Sequence, residues 1–164
     1  MSFSITIDGD KELHDSCRVD FDGNGSYDRA MSAVKDFYNR YGIMPDTKLT
    51  IAPANVNYLY KAIINLIDNG YINIHANCVF ENGWTYDDAI IYYNQLKRLA
   101  NYIIDNDLYN KVNISLFSEL KYSPMSPDDN DNWCGGVDNK MFSIDYKGDY
   151  YPCIRYMDTS LDNK

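Results

Sequence analysis

Cysteine is scarce in this 164-residue chain: four residues, at 17, 78, 134 and 153, and none has a partner at Cys-x-x-Cys spacing. With no secretion signal in view, thiols this sparse favour reduced or metal-bound cysteine over a disulfide framework, and a cytoplasmic protein. Basic residues are outnumbered, 15 against 24 acidic ones, and the net charge is −9. Nucleic-acid phosphates and anionic membranes both require basic patches, so neither partner is expected. Long hydrophobic runs are missing as well. Segments such as Ala62–Ile64 fall far short of the roughly 20 apolar residues that cross a bilayer. What remains is enough chain for one domain with a real core, or one domain and an appendage.

The patterning then repeats a plan. Residues 2–8, SFSITID, read as a strand that stops at Asp8-Gly9, and the polar stretch from Asp10 to Ser26 reads as a long loop. Ser26 is placed to cap a helix through Tyr41, with Ala30, Ala33, Val34, Phe37 and Tyr41 at helical spacing and Gly42 ending it. Lys48–Ala52 is a second strand, followed by a helix closed by Gly70. A third strand at YINIHANCVF leads to a helix capped by Thr85 and running to about Asn106. Strand–loop–helix units in succession predict parallel strands with right-handed crossovers, hence an α/β sheet or a piece of a barrel. A fourth strand is expected at 112–117. The Pro-, Asp- and Asn-rich stretch 121–132 reads as a linker between a first domain, 1–120, and a second, 133–164.

In such sheets ligands sit at the carboxyl ends of the strands. Thr6 and Asp8 share a strand face there and have the chemistry to hold a sugar hydroxyl; Arg18 has the fork to hold a carboxylate. The plainer reading is that Asp8-Gly9 is only a turn and Arg18 pairs with Asp15. His14 falls in the polar loop, and His75, inside the third strand, reads as a packed core residue. Cys17 and Cys78 read as buried inert thiols. Asp20, Asp22, Asn24 and Gly25 match the opening of a calcium loop, but the twelfth position is Met31 rather than the bidentate acid, which argues against calcium.

The last segment holds the other two thiols. Cys134 and Cys153 are joined by Cys-x13-Gly-x4-Cys through Gly148, and Met141–Cys153 alternates as a hairpin turning at Lys147-Gly148. Two thiols so delivered suit iron or zinc but make half of a four-ligand site.

Taken in order, SITIDGDKELHDSCR, GNGSYDRAMSAVKDF, LTIAPANVNYLYKAIINLIDNG and the Cys134-Gly135-Gly136 hairpin resemble the radical S-adenosylmethionine (SAM) enzymes with a SPASM extension, over residues 2–157. The first stretch follows that family's fourth-strand pattern, (Ser/Thr)-x-Asp-Gly…His-Asp-x-x-Arg. The resemblance implies a partial (β/α) barrel of three to four parallel strands followed by a small β-hairpin. It implies that Thr6 contacts the SAM ribose, that Asp8, Gly9 and Arg18 belong to the same cofactor-binding motif, and that Cys134 and Cys153 ligate an auxiliary 4Fe–4S cluster. The family's activity is hydrogen abstraction from a peptide or protein by a 5′-deoxyadenosyl radical.

The chain departs from the family in two respects. The family's Cys-x3-Cys-x2-Cys loop, which binds the cluster that reduces SAM, does not occur in it. Ile154 follows the second SPASM-like cysteine where sulfatase maturases have an aspartate, which points to another kind of peptide maturase. The expectation is therefore the back part of a peptide-modifying enzyme, inactive by itself. Its sheet edge and the inner face of the half barrel, taken as apolar, are expected to drive self-association. Two other readings are a non-catalytic peptide- or nucleotide-binding module and a zinc-binding structural domain.

Overall fold

The computed structural model describes residues 4–79, 83–118, 142–153 and 156. The chain divides into two units, Met1–Tyr122 and Ser123–Lys164.

In the first unit, β1 (Ser4–Thr6), β2 (Asp46–Ile51), β3 (Asn73–Cys78) and β4 (Asn113–Ile114) form one sheet in the order β1-β2-β3-β4. Every pairing is parallel, with Thr6 opposite Lys48, Lys48 opposite His75, Thr50 opposite Asn77 and Ile74 opposite Ile114. The helices are α1 (Lys11–Cys17), α2 (Tyr27–Tyr41), α3 (Leu59–Asp68), entered through a 3₁₀ turn at Val56–Tyr58, and α4 (Tyr86–Asp105). Sequential parallel strands with right-handed crossovers put the covering helices on one side. The core lies there: Ile7, Leu49, Ile51, Ile74 and Ala76 from the strands meet Val34, Leu59, Ala62, Ile63, Leu66 and Leu99 from the helices. Each of these Val, Leu and Ile side chains contributes about 1.5–3 kcal/mol on burial, and each alanine methyl less.

Local chemistry sets the helix ends. Thr85 and Asp88 form a reciprocal capping box at the start of α4. Gly42, left-handed at φ 71°, closes α2 by donating its N–H to the Tyr38 carbonyl. Part of the expected loop after β1 is instead α1. Asp10 caps it by accepting the Leu13 N–H at 3.0 Å, and Lys61 bonds the other Asp10 oxygen at 2.6 Å. The polar composition of Lys11–Cys17 hides a helix made by its cap and one buried residue, His14. The fourth strand is shorter than 112–117 because Ser115–Phe117 turns into a 3₁₀ helix. The Ser115 hydroxyl takes over the pairing, accepting the Ala76 N–H at 2.9 Å and donating to the Ala76 carbonyl at 3.1 Å.

The inner face also corrects an expectation. It is polar, not apolar: Thr6 and Asp8, then Asp46, Lys48 and Thr50, then Asn73, His75 and Asn77 alternate with the buried residues of the same strands. His75 is accordingly no core residue; its side chain is 45% exposed, 3.8 Å from Asp46.

In the second unit, β5 (Ser143–Ile144) and β6 (Tyr150–Tyr151) pair antiparallel, with Gly148 at φ 90° in the turn. Asp145 holds that turn by accepting the N–H groups of Lys147 and Asp149. This is the hairpin expected from 141–153, within the described part. Among the described residues, no helix is long and apolar enough to cross a membrane.

Candidate functional site

The residues singled out in the first unit meet at the carboxyl end of β1. The parallel ladder extends one residue past the strand, the Ile7 N–H donating to the Lys48 carbonyl at 3.0 Å, and this sets Asp8 at the edge of the sheet. Asp8 is 2% exposed. A buried carboxylate must be paired and hydrogen-bonded, and both its oxygens are: Oδ1 accepts the Thr50 N–H at 2.9 Å, and Oδ2 accepts from Arg18 Nε in an ion pair. Arg18 Nη2 lies 3.4 Å from Thr50 Oγ1, and 37% of the arginine side chain is exposed. One edge of the guanidinium is thus spent on Asp8 while the side chain reaches water at the strand ends.

Behind this pair stands His14, 1% exposed. Its Nδ1 accepts the Asp8 N–H at 3.2 Å. Ser26 gives its hydroxyl proton to the Arg18 carbonyl at 2.9 Å, so the 3.1 Å contact between His14 Nε2 and Ser26 Oγ has the histidine donating. Both ring nitrogens are engaged, which fixes the neutral Nε2–H form. Burial pushes the His14 pKa below its ordinary value; the nearby Arg18 charge acts in the same direction, and Asp8 and Asp15 oppose it. His14 is a strut, not a base. Ser26 stands at the N-cap position of α2 as expected but makes no capping bond. Asp15 does that work from outside, accepting the Tyr27 N–H at 2.8 Å.

Two glycines belong to the same construction. Gly9 turns at φ 95°, and a Cβ there would lie 2.7 Å from the Ala62 Cβ, so only glycine lets the chain pass against α3. A Cβ on Gly25 would fall 2.1 Å from the Asp15 carboxyl carbon. The calcium-like loop is a turn: Asp20 Oδ1 accepts the N–H groups of Asp22 and Asn24 at 3.0 and 2.8 Å. Those N–H groups hold the Asp20 carboxyl below its usual range.

Of the residues named from the sequence, Asp8 and Arg18 are brought into contact, Gly9 makes the turn after Asp8, and Thr6 ends β1 two residues before Asp8. Thr6 is half-buried on the face shared with Asp8. Arg18 pairs with Asp8, not with Asp15. Cys17 is exposed and Cys78 half-buried, so neither is the sealed thiol expected. Cys153 is a free, half-buried thiol, and Cys134 lies outside the described residues. Among the described residues no group of three or more His, Cys, Asp or Glu side chains is placed to hold a metal ion. Sequence reasoning missed Thr50, whose N–H and hydroxyl complete the Asp8–Arg18 pair. The alternation of Lys48, Leu49, Thr50 and Ile51 carried that signal. Asn55, in the loop after β2, holds that loop to the strand by accepting the Ala52 N–H at 2.7 Å and donating to the Thr50 carbonyl at 3.0 Å.

For an adenosyl cofactor the fit is favourable. Thr6 offers a hydroxyl on the polar face, and Arg18 offers a partly exposed guanidinium beyond the strand ends. Asp8, walled off and fully engaged, positions Arg18 instead of touching a ligand. Of the two thiols expected to ligate an iron–sulfur cluster, only Cys153 is among the described residues, and one thiol does not define a site.

Solved structures share this fold. Native anSMEcpe with bound AdoMet superposes with a TM-score of 0.66 at 19% identity over 97% of this chain and 44% of its own. The same protein with AdoMet and the Cp18Cys peptide gives 0.64 at 18% identity, over 94% of this chain and 45% of its own. With the Kp18Cys peptide it gives 0.63 at 17%, over 94% and 44%. The chain thus spans less than half the length of the structures it matches. No family model and no curated protein matches the sequence. The α/β fold implied by the resemblance to radical SAM enzymes is the fold this chain has.

Proposed function

We propose that this chain serves a radical SAM/SPASM enzyme that modifies a peptide, holding SAM at the carboxyl end of β1 through the Thr6 hydroxyl and the Arg18 guanidinium. One observation carries the reading: Asp8 and Thr50 aim a partly exposed arginine over a parallel-strand edge, in a fold shared with AdoMet-bound and peptide-bound anSMEcpe. SAM, when reductively cleaved, supplies the radical that abstracts hydrogen. This chain's residues contribute binding and orientation: Asp8 fixes Arg18, His14 and Ser26 fix the backbone of Asp8 and Arg18, and Gly9 lets α3 close behind them. Cys134 and Cys153 belong to the same reading as ligands of an auxiliary cluster. Since the sequence contains no Cys-x3-Cys-x2-Cys motif, the chain by itself binds SAM without cleaving it. Copies associate through the edge of β1, which sedimentation at rising concentration would reveal.

Calorimetric titration with SAM tests the site. Thr6→Val keeps the volume and removes the hydroxyl, and should weaken SAM by about tenfold, the worth of one good hydrogen bond in a desolvated site. Unchanged affinity in that variant, or no binding by the wild-type chain, would sink the assignment. Formation of 5′-deoxyadenosine by the chain alone, after iron–sulfur reconstitution, would sink the claim of inactivity.

A further inference from the structure

The face of the sheet turned away from the helices has a second feature, one full pleat below the Asp8–Arg18 pair. Parallel sheets ordinarily carry helices on both faces, and their strands then read as continuous apolar runs. Here β2 and β3 alternate strictly, with Asp46, Lys48 and Thr50 and then Asn73, His75 and Asn77 on the uncovered side. Such a face is built for a polar occupant rather than for another layer of helices. The register arranges it in rows. Thr6, Lys48 and His75 stand side by side across β1, β2 and β3, a line about 10 Å wide at the usual strand spacing.

The rows differ in charge. Above, the Asp8 carboxylate is taken by Arg18 and the Thr50 N–H. Below, Asp46 lies within 3.8 Å of His75 Nε2. The middle row contains no carboxylate. Lys48 is exposed at its centre, and among the described residues no acid lies within ion-pair distance of its ammonium. A lysine and an imidazole side by side on neighbouring strands offer donors to a single acceptor-rich group, in a protein whose net charge of −9 otherwise repels anions. We infer that Lys48 and His75, neighbours in the row that begins with Thr6, bind a carboxylate, that of an acidic side chain on the peptide substrate. The identity of the occupant rests on the peptide-modifying reading above. The methionyl carboxylate of SAM has the same chemistry, but Arg18 at the strand ends already answers it, about 7 Å further along the strands.

The experiment uses the whole chain and two capped peptides, acetyl-Gly-Glu-Gly-amide and acetyl-Gly-Gln-Gly-amide, followed by the backbone amide signals of β2 and β3 in NMR titrations, with SAM titrated separately. The Glu peptide should bind about five- to tenfold more tightly than the Gln peptide, as a charge-assisted contact allows. Lys48→Gln should bring that ratio close to one, and His75→Gln should reduce it, with SAM affinity changed less than about twofold in both and circular dichroism unaltered. Equal binding of the two peptides by the wild-type chain overturns the inference and leaves the SAM assignment standing. Discrimination that persists in Lys48→Gln, or a loss of SAM affinity in its place, also overturns it. Discrimination by a wild-type chain that takes no SAM upholds the row and tells against the proposed function instead.

Discussion

On the helix-covered face of the sheet, Ile7, Leu49, Ile51, Ile74 and Ala76 are shut off from water. One residue along each strand, the opposite face carries Thr6, Lys48, Thr50, His75 and Asn77. The backbone is common to both. What differs is how the side chains are held: close packing with helices on one side, hydrogen bonds and ion pairs concentrated at the β1 corner on the other. On the function proposed above, the comparison separates stability from recognition: the first face fixes the strands, and the second is the one assigned to ligands.

If that division is right, the largest effect comes from the packed face. Ile74→Ala should cost about 3 kcal/mol in denaturant unfolding, because Ile74 is fully buried and its removal leaves a cavity. A loss below about 1 kcal/mol would mean that face is loosely packed. Asp8→Asn tests the corner where the two roles meet. It leaves Arg18 without its charged partner and should cost about 2 kcal/mol, less than the roughly 3–5 kcal/mol of a fully buried pair because Arg18 is partly in water. SAM binding should fall in the same variant, since Arg18 is no longer aimed.

A smaller effect comes from pH. The folded state holds His14 neutral, with its pKa below the ordinary 6.5. Its contribution to stability is complete above pH 6.5. It declines as the pH falls below that value, because the unfolded chain takes up the proton first, and the decline continues until the folded pKa is passed. Unfolding measured stepwise from pH 7.5 down to 5 should show this slope, and His14→Gln should flatten it. Least affected is Lys48→Gln, on an exposed side chain of the polar face. Its stability should match the wild type within about 0.5 kcal/mol, so any loss of acidic-peptide binding reports recognition alone.

Much of the corner was legible in its motif, though not the division of labour within it. The spacing of Asp8, His14 and Arg18 pointed to one corner of the sheet, and there the three are in contact. It did not disclose that Asp8 faces inward, that His14 accepts an N–H, or that Asp15 caps α2, since each depends on a partner between 6 and 42 residues away. Helix α1 is not evident in the sequence because seven residues carry too little periodicity to be recognised. The truncated fourth strand was invisible for a similar reason: VNISLF has strand composition, and only Ser115 meeting Ala76 across the sheet ends the ladder.

The sequence alone determined the order of the first three strands and the three longer helices, because apolar periods of two and of three to four residues are local properties of the chain. It also determined where glycine and capping residues end the elements. Tertiary structure alone decided which strand face met the helices and which was left polar, and so whether His75 and Lys48 were core, surface or site. That choice follows from the crossover direction and the register between strands, which no single segment contains.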